Sequence, residues 1–110
     1  MIDLSYADFL KQFTDYEPMT SFWSDFSIAE RYGEEEILDT FKRIFKEYKT
    51  DYKYLTELVM VLNHKIWQHH EIPGHKRLAE LYDKLWRQAD EYACTHLTGE
   101  ELSYFYSTTD

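Results

Sequence analysis

The stretch YKYLTELVMVLNHKIWQHH, residues 52–70, decides the fold that the sequence predicts. Its apolar residues recur at the three- and four-residue spacing of an α-helix and extend around most of the helical circumference. They are Tyr54, Leu55, Leu58, Val59, Met60, Val61, Leu62, Ile66 and Trp67. A helix that is apolar nearly all round is normally surrounded by other elements. We therefore expect residues 52–70 to form the buried central helix.

Further helices are predicted on both sides of this central helix. They cover residues 5–14, 21–32, 34–49 and 75–97, and a last short turn starts at Thr98. Gly33 and Pro73-Gly74 separate neighbouring helices, and residues 14–20 are expected to form a loop. No stretch alternates polar and apolar residues as a strand does. The predicted fold is a single all-α domain over residues 1–110, a bundle of four to six helices.

Length and composition limit the class of protein. The chain has 110 residues, a hydrophobic content of 44% and only three glycines, which favours a folded domain over a disordered chain. Its one cysteine, Cys94, cannot form an internal disulfide, and residues 1–30 contain no signal-peptide pattern. The longest apolar run, residues 58–62, is far shorter than the roughly 20 residues that span a bilayer. We expect a cytoplasmic protein without a membrane segment.

The charge of the chain is unevenly distributed. The net charge is −9, and residues 14–40 contain eight acidic residues and one arginine. An acidic face is predicted at the start of the helix that follows Gly33, formed by Glu34, Glu35, Glu36 and Asp39. Such a face can imitate nucleic-acid phosphates and dock into a basic groove of another protein. It can equally be a solvated surface that keeps a small protein soluble.

The aromatic content is high, with ten tyrosines, seven phenylalanines and three tryptophans. Tyrosine and tryptophan are favoured at binding hot spots. Candidate aromatic anchors on the shorter predicted elements are Phe22, Trp23, Tyr104 and Tyr106. The alternative is that the same rings close the two ends of the bundle.

Four lysines form a candidate basic strip because they recur at helical spacing: Lys42, Lys46, Lys49 and Lys53. They share one face only if the helix continues past Thr50. The strip can dock an acidic partner or a phosphate backbone. The commoner case is the solvated face of an amphipathic helix.

The stretch FSIAERYGEEEILDTFKRIF, residues 26–45, suggests an alternative function, because IAERYG is similar to the first helix and turn of a helix-turn-helix. In that motif the second helix enters the major groove of DNA. Here the second helix opens with four acidic residues, which DNA phosphates repel. A helix-turn-helix transcriptional regulator is kept as an alternative, although direct nucleic-acid binding is not expected.

The stretch HHEIPGH, residues 69–75, resembles the zinc-binding pattern HExxH. That pattern needs two histidines on one face of a continuous helix, whereas Pro73-Gly74 interrupts the helix before His75. A looser metal site built from His69, His70 and His75 is a further alternative. Histidines in a last helical turn are also favoured by the helix dipole alone. No cofactor is predicted.

Catalytic signatures are scarce in the sequence. Cys94 follows Asp90 and Glu91, which is not the electropositive setting of a nucleophilic cysteine. His96, two residues later, points away from Cys94 on a helix. The chain contains no glycine-rich phosphate loop. We therefore do not expect an enzyme.

Three stretches carry a family resemblance: FWSDFSIAERYG (22–33), YKYLTELVMVLNHKIWQHH (52–70) and GEELSYFYSTTD (99–110). The chain resembles the small acidic all-helical proteins of unknown function that bacterial phages and other mobile elements carry. The resemblance implies a context in which short proteins often act as adaptors or inhibitors by stoichiometric binding. We expect a protein-binding module whose partner is another protein, with a nucleic-acid-binding protein as the leading candidate. Homodimerisation stays open.

Overall fold

A computed structural model describes the backbone of residues 17–109 and the side chains of residues 21–109. Over this range the chain forms five α-helices and no strand. They are α1 (Glu17–Glu30), α2 (Glu34–Tyr48), α3 (Tyr52–His70), α4 (Lys76–His96) and α5 (Gly99–Thr109). The predicted all-α bundle is confirmed, and the helix predicted over residues 5–14 lies outside the described residues. None of the five helices is long and apolar enough to cross a bilayer.

α3 is the central helix, as its apolar pattern predicts, because it contacts the other four described helices. Leu55 and Leu62 are fully buried on it. Asp51 caps the N-terminus by accepting hydrogen bonds from the backbone N–H groups of Lys53 and Tyr54, at 3.2 and 3.4 Å. Each buried leucine contributes about 2 kcal/mol and the cap about 1 kcal/mol. Packing therefore outweighs capping in holding α3 at the centre.

α1 lies alongside α3 and runs in the same direction. Near the beginning of α1 the Phe22 ring lies 6.4 Å from the Tyr54 ring at the start of α3. At the end of α1 Glu30 contacts Lys65, in the C-terminal half of α3. α4 returns along α3 after the short connection at residues 71–75. The C-terminus of α1 is therefore held against both α3 and α4.

Two predicted boundaries are wrong. α1 begins at Glu17 instead of residue 21, so residues 17–20 are helical and not a loop. Pro18 lies in the first turn, where a proline removes no intrahelical hydrogen bond. The short turn predicted from Thr98 is instead the 11-residue helix α5. Its Phe105 is 1% exposed, and this packing against the core stabilises the additional turns.

The connection between α1 and α2 is a three-residue corner formed by Arg31, Tyr32 and Gly33. Gly33 adopts φ 127° and ψ −176°, a conformation that is essentially restricted to glycine. Its N–H donates to the carbonyl of Ala29 at 3.2 Å, and its own carbonyl accepts from the N–H of Ile37 at 3.3 Å. Gly33 thus ends one helix and starts the next within a single residue.

Candidate functional site

The surface at the α1–α2 corner combines exposed apolar side chains with exposed carboxylates. Tyr32 is 77% exposed and Ile28 is 53% exposed. The first turns of α2, which follow directly in the chain, contain three exposed acids, Glu35, Glu36 and Asp39. These three carboxylates make no ion pair or side-chain hydrogen bond with any described residue. We call the five residues the corner surface.

Two of the neighbouring charged residues, Glu34 and Arg43, form ion pairs with residues outside the corner surface. Glu34, the first acid of α2, lies 2.6 Å from the Arg77 guanidinium. Arg43, one turn after Asp39 on α2, instead lies 3.4 Å from Asp25. Arg31 is exposed in the corner itself. Of the four predicted acidic residues, Glu34 has a cationic partner, and the other three have none among the described residues.

A buried polar network lies beneath the corner and joins three helices. The carboxylate of Glu30, with 10% of its side chain exposed, accepts a hydrogen bond from the Tyr82 hydroxyl at 2.5 Å. The Lys65 Nζ lies 3.0 Å from the same oxygen and also donates to the Ser27 hydroxyl at 2.7 Å. His69 Nε2 is 3.0 Å from this oxygen, in a close polar contact rather than an aligned hydrogen bond. The last turn of α1 is therefore fixed to both α3 and α4.

Aromatic rings complete this network. The Lys65 ammonium lies 4.1 Å from the centre of the Trp23 ring, in a cation–π contact. The His69 ring stacks on Tyr82 with 5.5 Å between ring centres. His69 Nδ1 lies 2.9 Å from His75 Nδ1, so one imidazole donates a proton that the other accepts. Lys65 is 0% exposed, and these contacts compensate for the water that its ammonium loses.

The titration behaviour of the network follows from burial and pairing. Burial alone raises the pKa of Glu30, but the contacts with His69, Lys65 and Tyr82 lower it more, so the net pKa lies below its ordinary value of 4.5. Burial lowers the pKa of Lys65, and the Glu30 carboxylate opposes that effect. Burial and Glu30 together raise the pKa of Tyr82. At neutral pH Glu30 is therefore an ionised acceptor and Tyr82 a proton donor.

Two of the three candidate metal-binding histidines, His69 and His75, are brought together, and His70 is not. His69 and His75 approach to 2.9 Å between their Nδ1 atoms, and they contact each other through a hydrogen bond. The His70 ring lies instead against Trp67, with 6.1 Å between centres. Within the described part of the chain, no three His, Cys, Asp or Glu side chains are placed to hold a metal ion.

The candidate aromatic anchors lie in different environments. Phe22 and Trp23 are 3% and 1% exposed in the core, so their prediction as exposed anchors is wrong and they close the bundle instead. Tyr104 is half-buried with its ring 5.3 Å from that of Tyr52. Tyr106 is 48% exposed. Tyr32 was not among the predicted anchors, and its position immediately before Gly33 was the available signal in the sequence.

The basic strip is split between two helices. α2 ends at Tyr48, so the condition for one continuous face is not met. Lys42 and Lys46 are exposed on α2. The Nζ atoms of the other two lysines each lie 5.9 Å from a tyrosine ring, Lys49 over Tyr92 and Lys53 over Tyr52. The physical reason is that the cap of α3 at Asp51 interrupts the helix, and the predicted strip is therefore wrong as a single surface.

Comparisons with protein families, with curated proteins and with solved structures give no significant match for this chain.

Proposed function

We propose that this protein is an adaptor or stoichiometric inhibitor that binds another protein through the corner surface. One observation carries the proposal: a 77% exposed tyrosine and a 53% exposed isoleucine at the corner are followed, in the first turns of the next helix, by three exposed carboxylates that have no cationic partner among the described residues. Exposed tyrosines surrounded by polar groups are favoured as interface anchors. The acids supply charge, and Tyr32 supplies the apolar contact area.

The corner surface is also held in place before any partner arrives. Gly33 sets the turn, and Glu30 ties the last turn of α1 to Lys65 and Tyr82. A surface that is already ordered loses little conformational entropy on binding, so more of the contact energy appears as affinity. This favours direct docking over folding upon binding.

The charge indicates the chemistry of the partner. A net charge of −9 steers the chain towards basic proteins and away from nucleic acids. Glu35, Glu36 and Asp39 lie in the first turns of one helix, and their carboxylates would take the place of nucleic-acid phosphates in a basic groove. We therefore propose a nucleic-acid-binding protein with a basic groove as the partner, in the phage or mobile-element context that the resemblance implies.

The test is affinity capture from a bacterial lysate with matched bait variants. The baits are the parent chain, Tyr32→Ala, a corner variant (Glu35, Glu36 and Asp39 to Lys) and a control variant (Glu91, Glu100 and Glu101 to Lys). The control has the same charge change at three exposed acids on α4 and α5. The captured protein is then purified, and its affinity and stoichiometry are measured by titration calorimetry at two salt concentrations.

We expect a one-to-one complex that weakens with salt, is lost in the corner variant and survives in the control. Tyr32→Ala should weaken it about thirtyfold or more, as a hot-spot residue does, while changing stability by less than about 0.5 kcal/mol. The proposal is wrong if the control variant loses the complex equally, or if the corner variant keeps it. Salt-sensitive binding of DNA by the parent would support the helix-turn-helix alternative instead.

A further inference from the structure

A cavity of about 420 Å³ lies between α3, α4 and α5, none of which contributes a residue to the corner surface. This volume is within the range of about 300–1,000 Å³ that is usual for small-molecule sites. Aromatic and aliphatic side chains form much of its wall, including Trp86, Met60 and Tyr106. Asn63 and Asp90 also line the cavity. Polar and apolar groups therefore share the wall about equally, which suits a ligand that has both a charged and an apolar part.

The charge of this cavity is negative. Asp90 lines it, and no lysine or arginine of the described chain does so. Asp90 makes no ion pair with a described residue. Burial, and secondarily the neighbouring Glu91, raise the pKa of Asp90. His64, also in the wall, has a pKa lowered by burial, which favours its neutral form. Among the described residues, the cavity therefore lacks the positive charge that would complement Asp90.

We propose that this cavity binds a small organic cation, whose ammonium group pairs with the Asp90 carboxylate while its apolar or aromatic body packs against Trp86 and Met60. An ammonium group supplies the opposite charge that a partly buried carboxylate needs. An indole ring within reach of the same group adds a cation–π attraction. An anion of equal size would meet Asp90 and, close by, Glu91. The cavity thus selects by charge as well as by shape.

The first test compares two probes of similar size and opposite charge, tryptamine and indole-3-propionate. Calorimetric titration of the parent chain should give tryptamine a dissociation constant in about the millimolar range or tighter and indole-3-propionate none. Asp90→Asn keeps the shape of the side chain and should weaken tryptamine at least about tenfold. Glu91→Gln removes the same charge from the exposed neighbour and should leave binding within about twofold.

Cys94 offers a second readout that needs no variant. It is exposed, lines the cavity and is the one cysteine of the chain. A bound amine should therefore slow its modification by a maleimide, with half-protection at the calorimetric dissociation constant, and indole-3-propionate should not. The proposal is overturned if neither probe binds, if the anion protects as well as the amine, or if Asp90→Asn and Glu91→Gln weaken tryptamine equally. Equal weakening by the two variants would indicate that tryptamine is attracted by the overall negative charge of the chain and not by Asp90 in the cavity.

Discussion

Glu57 is a buried acid whose replacement should stabilise the protein. It lies on α3, is 7% exposed, and its Oε2 has no hydrogen-bond partner among the described residues. Burial, with a smaller contribution from Asp51, raises the pKa of Glu57 from 4.5 to about 7. The folded protein therefore holds a proton on Glu57 at pH values where the unfolded chain has released it. Glu57→Gln removes this difference and keeps the shape of the side chain.

The sign and size of the effect follow from linkage. As pH rises above 4.5 the unfolded chain ionises first, so the parent loses stability until the folded pKa of about 7 is passed. Each pKa unit corresponds to about 1.4 kcal/mol, so the loss in the parent reaches about 3 kcal/mol at pH 8. It is about 2 kcal/mol at pH 6 and close to zero at pH 4. The free energy of unfolding of Glu57→Gln should exceed that of the parent by these amounts at the three pH values.

Urea unfolding at pH 4, 6 and 8 measures the difference directly, and thermal melts at pH 8 should show a rise of roughly 10 °C. Glu47→Gln is the matched control, because Glu47 is exposed on α2 and its replacement should change stability by less than about 0.5 kcal/mol. A stability difference between Glu57→Gln and the parent that is the same at pH 4 and pH 8 would refute the reasoning. So would a variant that is less stable at every pH.

Three further predictions concern the buried network and the corner. Lys65→Met should lower the free energy of unfolding by about 3–4 kcal/mol, because Glu30 stays buried without its cation; urea titration should show that adding Glu30→Gln recovers part of the loss. The stability that ionised Glu30 contributes is present above pH 4.5 and is lost as pH falls through its lowered pKa. Glu30→Gln should therefore be less stable than the parent at pH 7 and approach it in acid, and an equal deficit at both pH values would contradict this. Gly33→Ala should lower the free energy of unfolding by about 1–3 kcal/mol, measured by thermal melts, because alanine is strained in this backbone conformation. Open space surrounds the site, so a steric clash would not contribute. A loss below about 0.5 kcal/mol would show that the strain is absent.

The central helix could be predicted because its apolar period is strong, and the same pattern contained a signal for the buried network. Lys65 and His69 continue the helical spacing of Leu58 and Leu62, so they occupy positions of the buried stripe. A lysine at such a position requires a partner. The sequence could not name Glu30 as that partner, because the pair is formed by the packing of two separate helices.

The exposure of the aromatic residues was less predictable. α1 is only weakly amphipathic, so its sequence does not define which side faces the core. Its packing against α3 buries Phe22 and Trp23. The turn at Gly33 leaves Tyr32 outside the bundle. The acids at the start of α2 remained predictable as exposed, because charged side chains are seldom buried without partners.

The buried network is better explained as a device that positions the corner surface than as a source of stability. Replacing a buried ion pair with apolar residues of similar volume is often neutral or stabilising. We therefore expect the variant Glu30→Leu, Lys65→Met, Tyr82→Phe to remain within about 1 kcal/mol of the parent or above it. In this variant the last turn of α1 would lack the contacts of Glu30 with Lys65 and Tyr82, which hold the residues next to Tyr32. Hydrogen exchange should accelerate at the amides of Tyr32 and Gly33, which donate to Ala29 at 3.0 and 3.2 Å. Unchanged exchange in a stable variant would mean that Gly33 and core packing alone hold the corner surface.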